Sequence, residues 1–112
     1  NGAACVSFSS GLAAATAVFQ SLKTGDHIIM PDDAYFSMYN IISHLFTNFG
    51  ITFTKVDLTD LKQLQSAIQP NTKLIWMETP SNPSLKVTDI AAVVAFAKQH
   101  NCFTVADNTW ST

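Results

Sequence analysis

Short apolar runs recur along the chain and alternate with longer stretches in which apolar residues return every three or four positions. The runs AACVSF (3–8), HIIM (27–30), TFTKV (52–56), KLIWM (73–77) and CFTVA (102–106) have the length and the β-branched or aromatic content of strands. Helical patterns lie between them. GLAAATAVFQSLK (11–23) is rich in good helix formers, with Ser10 placed as its N-cap and Gly25 beyond its end. A second helix is expected from about Phe36 to Phe49, where Met38, Ile41, Ile42 and Leu45 share a face and Gly50 terminates it. Asp60 can cap a third helix over 61–68, stopped by Pro70, and Thr88 or Asp89 opens a fourth that runs to about Gln99.

Strand and helix in alternation, joined by short connections, predict β-α-β units: an α/β fold with a mostly parallel sheet and helices on both faces. At 112 residues the chain fits one domain, and no linker or internal repeat divides it. The formal net charge is −2 with no run of like charges, which offers neither nucleic acid nor an anionic membrane an electrostatic footprint. No apolar stretch approaches the length of a membrane span and no signal peptide is visible, so a cytoplasmic protein is expected. Cys5 and Cys102 lie in apolar runs without metal-ligand spacing and are expected as buried free thiols. The start at Asn1 and the close just after a strand pattern read as an internal piece of something longer.

In an open parallel sheet, ligands bind beyond the carboxyl ends of the strands. Four of the five expected strands are followed by more polar chemistry than a turn needs: SSGL, PDDAYF, ETPSNP and DNTWST. The Gly11 and Leu12 amides with the Ser10 hydroxyl suit a phosphate, although an ordinary capped helix needs the same residues. Tyr35 can present a ring face to a planar ligand or be simply an aromatic at a helix start. Asp32 and Asp33 read as capping carboxylates. Asp107, at the end of an apolar strand in a chain without arginine, calls for a cation brought by a ligand, or else caps the next element. Pro80 and Pro83 stiffen the loop around Asn82, with Glu78 supporting that loop. His27, His44 and His100 form no metal-binding pattern, and no metal site is expected.

Set in order, FSSGLAA, TGDHIIMPDDAY, NTKLIWMETPSNPSLKVTDI and VADNTW resemble the Cys/Met-metabolism family of pyridoxal-phosphate (PLP) enzymes, which includes cystathionine synthases and lyases and methionine gamma-lyase. Each motif alone is short; their joint order and spacing, from about Cys5 to Thr109, carries the resemblance. It implies a fold-type I PLP-dependent transferase large domain, with residues 1–112 a partial cofactor-binding domain truncated at both ends. The implied activity is trans-sulfuration chemistry: elimination or replacement at a carbon–sulfur bond of cystathionine or a related sulfur amino acid, in methionine and cysteine metabolism. Residue by residue, it implies that Ser10, Gly11 and Leu12 hold the cofactor phosphate and that Tyr35 stacks on the pyridine ring as the candidate catalytic residue. Asn82 then lies near the phenolic oxygen, and Asp107 pairs with the ring nitrogen. A homotetrameric full-length protein is implied too.

Two departures bear on these expectations. Phe36 and Ser37 stand where the family commonly has two glycines, so added bulk is expected to narrow the site or shift Tyr35. The lysine to which the family attaches its cofactor lies downstream in a Ser-x-Thr-Lys context that none of the six lysines here has, so this stretch alone is expected to be inactive. A non-catalytic phosphate- or nucleotide-binding α/β module is the alternative, against which the lack of a G-x-G-x-x-G or Walker sequence counts. A structural slice with open sheet edges is a third reading.

Overall fold

A computed structural model describes residues 2–111. In chain order it contains α1 (Gly11–Phe19), β1 (His27–Pro31), α2 (Phe36–His44), a 3₁₀ turn (Phe46–Phe49), β2 (Thr52–Val56), α3 (Leu61–Ala67), β3 (Thr72–Glu78), α4 (Ile90–Gln99), β4 (Phe103–Asp107) and a final 3₁₀ turn (Thr109–Ser111). The four strands form one sheet of order β2-β1-β3-β4, and every pairing is parallel. Strand addition runs from β1 outward to β2 and then crosses back to β3 and β4. The order therefore reverses between β1 and β3, the point at which the connections diverge and leave a crevice.

Both faces of the sheet are covered, as strands buried on two sides require. Successive side chains in a strand point to opposite faces. Ile28, Met30, Leu74 and Trp76 accordingly pack with Ala15, Phe19, Met38, Ile42 and Phe46 from α1, α2 and the first 3₁₀ turn. Ile29, Ile75 and Met77 pack on the other side with Leu64 of α3 and Val93 and Ala97 of α4. Phe19 anchors the first layer, its ring 5.5 Å from Phe46 and 5.1 Å from Trp76. Each such fully buried side chain contributes about 1.5–3 kcal/mol by leaving water.

Local chemistry sets the helix ends. The side chains of Ser10, Asp60 and Asp89 accept from the amides of Ala13, Lys62 and Ala92, the capping expected of them. Helix α1 stops at Phe19, short of the expected Lys23. Ser21 Oγ donates to the Val18 carbonyl, and the backbone tightens through Ser21 N to Val18 O and Leu22 N to Phe19 O. The second expected helix breaks at Leu45 into α2 and the 3₁₀ turn, which Gly50 closes at φ +77.

Two expectations are overturned. Residues 3–8 form no strand: among the described residues no strand pairs with them, and Val6 is 74 % and Phe8 47 % exposed. A strand needs a partner ladder, and apolar content alone does not supply one. Cys5, in the same segment, is exposed rather than buried, whereas Cys102 is half-buried with Sγ 3.3 Å from the Thr72 carbonyl oxygen.

His27 enters β1 fully buried, with Nδ1 2.9 Å from Thr72 Oγ1 and Nε2 2.9 Å from Thr54 Oγ1. Burial holds its pKa below the ordinary 6.5, so the folded chain keeps the ring neutral where the unfolded chain takes up a proton. Its contribution to stability is complete above pH 6.5 and is lost as the pH falls toward the depressed folded value. Urea midpoints measured from pH 7.5 to 5 should therefore fall more steeply for the native sequence than for His27→Gln; parallel curves would contradict the assignment. Gly50→Ala should cost about 1–3 kcal/mol in the same assay. Its backbone lies in the left-handed region, and an added Cβ would stand 2.7 Å from Thr24 Cγ2.

Candidate functional site

Because the sheet is all parallel, the segments after β1, β3 and β4 emerge along one edge, and the β1/β3 reversal opens the crevice there. A cavity of about 420 Å³ sits at this edge. It is lined by Ser10, Gly11 and Leu12 from the start of α1, Tyr35 and Met38 at the start of α2, Glu78 and Asn82 after β3, and Asp107, Thr109 and Trp110 after β4. All six residues singled out in the sequence thus face one space.

At one wall, the cap of α1 leaves specific donors over. Ser10 Oγ accepts from Ala13 N at 3.1 Å and the Ser10 carbonyl accepts from Ala14 N, so the Gly11 and Leu12 amides have no intrahelical acceptor. The backbone at Gly11 is bare: a Cβ there would meet no other heavy atom within 4 Å. Two free amides, a hydroxyl proton and the positive end of a nine-residue helix make an anion site.

The lining also holds two carboxylates at paired positions, Glu78 of β3 and Asp107 of β4. Their surroundings differ. Glu78 is 4 % exposed and has both oxygens engaged: Oε2 accepts from Tyr35 N and Oε1 from Asn82 N, each at 2.8 Å. Burial pushes its carboxyl up, the two amide bonds oppose that, and the nearby Asp107 and Asp33 add to it. Asp107 is half-exposed, and only its Oδ1 is engaged, by Thr109 N at 3.1 Å and Thr109 Oγ1 at 2.6 Å. Among the described residues Oδ2 has no hydrogen-bond partner. Of the two carboxylates, Asp107 is therefore the one able to meet a cation from a ligand. Its bonds to Thr109 N and Oγ1 also fall at the start of the final 3₁₀ turn, the capping role expected as one of its two alternatives.

Tyr35 occupies the N-cap position of α2 without a side-chain cap bond, and it is 43 % exposed. The Asn82 side-chain amide has no partner among the described residues. The loop that carries it, with cis peptides at Thr79–Pro80 and Asn82–Pro83, is tied down on both flanks. Ser81 Oγ donates to Asp33 Oδ2 at 2.6 Å and accepts from Lys86 N at 3.0 Å, while Asn108 Nδ2 donates to the Thr79 carbonyl. Lys86 Nζ reaches Asp57 Oδ2 at 2.9 Å and Asp32 Oδ1 at 3.3 Å. The Thr59 hydroxyl and then Lys86 hold the Asp57 carboxyl down to about 2.

Asp32 and Asp33 consequently do not cap α2, contrary to expectation; Lys86 and Ser81 take their carboxylates instead. Phe36 does not narrow the cavity either. It is 70 % exposed and lines a separate hollow with Tyr39, Lys55 and Pro83. Met38, Thr109 and Trp110 went unrecognised as lining residues, although the Asp-x-Thr spacing after β4 is itself the signature of an Asx-type turn. Among the described residues no group of His, Cys, Asp and Glu is arranged to hold a metal, and no helix is long and apolar enough to cross a membrane.

Comparison with known proteins agrees with this architecture. The chain is 49 % identical over 105 residues to cystathionine beta-lyase MetC of Staphylococcus haemolyticus, covering 94 % of the chain and 27 % of that protein. It is 50 % identical over 109 residues to putative cystathionine gamma-lyase 2 of Caenorhabditis elegans, covering 95 % and 28 %. The crystal structure of cystathionine gamma-lyase from Lactobacillus plantarum complexed with L-serine superposes with a TM-score of 0.88 at 44 % identity, over 90 % of this chain and 26 % of that one. The chain thus spans little more than a quarter of the length of these relatives. The profile described as "Cys/Met metabolism PLP-dependent enzyme" matches residues 1–112, and the chain belongs to that family.

Proposed function

We propose that the protein carrying this segment is a PLP-dependent enzyme that eliminates or replaces a group at a carbon–sulfur bond of cystathionine or a related sulfur amino acid. The supporting observation is the cavity at the strand-order reversal, whose lining combines helix-start amides with a carboxylate and an aromatic ring. Free helix-start amides suit a phosphate, and a carboxylate with one uncommitted oxygen suits a ring cation.

In this reading Gly11 and Leu12 donate their amides, and Ser10 its hydroxyl proton, to the phosphate. The α1 dipole favours the negative charge there. Tyr35 would stack its ring on the pyridine as the candidate catalytic residue, and Asn82 would offer its side-chain amide to the phenolic oxygen. Asp107, oriented by Thr109, would pair with the ring nitrogen and favour its protonated form. When bound, PLP supplies the electron sink for the carbon that loses its proton. The residues here bind and orient; they carry no lysine in the setting the family uses for attachment.

A homotetramer, the cytoplasm as compartment and a small sulfur amino acid as substrate belong to the same reading. Exposed apolar residues far from the cavity, Phe49 at 59 % and Phe103 at 76 %, suit coverage by the remainder of the protein or by another copy. Lyase and synthase share the cofactor walls described above and separate in how later steps partition, which entrance loops and further domains govern.

A longer protein carrying this segment and the downstream lysine should bind PLP and show a visible absorbance that borohydride abolishes. A colourless protein at saturating cofactor would overturn the proposal. Asp107→Asn should lower kcat/KM by on the order of 100-fold or more, the scale for losing a preorganised electrostatic contact, with little change in thermal midpoint. Unchanged activity would remove Asp107 from its role.

A further inference from the structure

We infer that Glu78 is a positioning residue that sets Tyr35 and Asn82 together, by holding the backbone amide of each on a different oxygen of one buried carboxylate. The inference rests on the functional reading above, since it concerns how two walls of the proposed cofactor site are kept in register. Tyr35 follows β1 and Asn82 follows β3, so they lie 47 positions apart in the chain and no secondary structure joins them directly. They flank the strand-order reversal, where a sheet is least able to fix the spacing of its own loops.

Glu78 ends β3 at that point, anchored by its pairing to Asp107 and by its burial. Its two bonds are of equal length, 2.8 Å, the short charge-assisted range for amides on a carboxylate. The chemistry demands a carboxylate. An ionised side chain of this length accepts two N–H donors on two oxygens, whereas glutamine has one oxygen and would turn an NH₂ toward the second amide. A protonated Glu78 has the same defect, its O–H facing an N–H.

The arrangement is costly in itself, because the carboxylate is buried and, among the described residues, forms no ion pair. The charged groups that act on it are Asp107 on β4 and Asp33 after β1, both negative, and Lys86, whose amide bonds to the same loop, is spent on Asp32 and Asp57. A hydrophobic residue would fill the same space at lower cost. The retained charge is accounted for by the two amides it holds, which belong to the residues that the ring stack and the phenolic oxygen require.

The test uses the longer, PLP-loaded protein and compares Glu78→Gln, which keeps shape and volume, with the native sequence. Readouts are PLP affinity, visible circular dichroism of the bound cofactor, kcat/KM, and the thermal midpoint of the cofactor-free form. Glu78→Gln is expected to change the visible dichroism and lower kcat/KM at least tenfold while the cofactor-free midpoint moves little. The native protein should acquire the variant's dichroism in an acid transition, displaced upward by the burial of Glu78, that the variant lacks. Native dichroism in the variant, an acid transition common to both, or an activity loss that merely tracks the thermal midpoint would each overturn the inference and leave the PLP reading standing. A native protein that takes up no PLP would overturn both.

Discussion

A parallel sheet whose strand order reverses cannot close its own carboxyl edge. Between β1 and β3 the chain departs in two directions, β1 toward β2 and β3 toward β4, and the residues after each strand are left facing a gap. Everything chemically distinctive in this chain is a response to that gap. The α1 start supplies amides to it, the β4 end supplies a carboxylate, and Glu78 spans it by bonding to the loop from the far side. The two apolar layers serve the same end: with Phe19, Met38 and Trp76 on one face and Leu64, Val93 and Met77 on the other, the strands that aim these groups are fixed in place.

Most of the architecture was legible because periodicity and punctuation agree. Each of HIIM, TFTKV, KLIWM and CFTVA became a strand, shifted by no more than a residue at either end, and Ser10, Asp60 and Asp89 capped helices as their chemistry dictates. The failure at residues 3–8 has the opposite cause. Apolar content marks a segment that wants burial, but strand formation is a property of a pair, and no described strand lies beside that segment. Its exposure carried Cys5 with it.

Residues that line the cavity were legible in the sequence, and the links between them were not. Gly11, Tyr35, Asn82 and Asp107 were visible because each follows an apolar run with more polarity than a turn needs. The links between them were not, because they join residues far apart in sequence: Ser81 to Asp33, Lys86 to Asp57, Glu78 to Tyr35. Asp32 and Asp33 illustrate the point. Position alone made them helix caps, yet a lysine and a serine more than forty residues onward provide better partners.

Glu78 and Asp107 show how one strand pairing yields two different carboxylates. They stand opposite each other at the ends of β3 and β4, so their backbones meet the same edge of the sheet. Burial separates them. Glu78 is 4 % exposed and has one amide on each oxygen in place of its hydration, so it is the more committed of the two. Asp107 stays half in solvent, gives one oxygen to Thr109 and keeps the other. A ligand cation entering the cavity therefore meets one committed and one available charge. The committed charge does not compete for that cation, yet it adds to the negative field in which the cation sits, which favours the protonated form of any ring nitrogen held there.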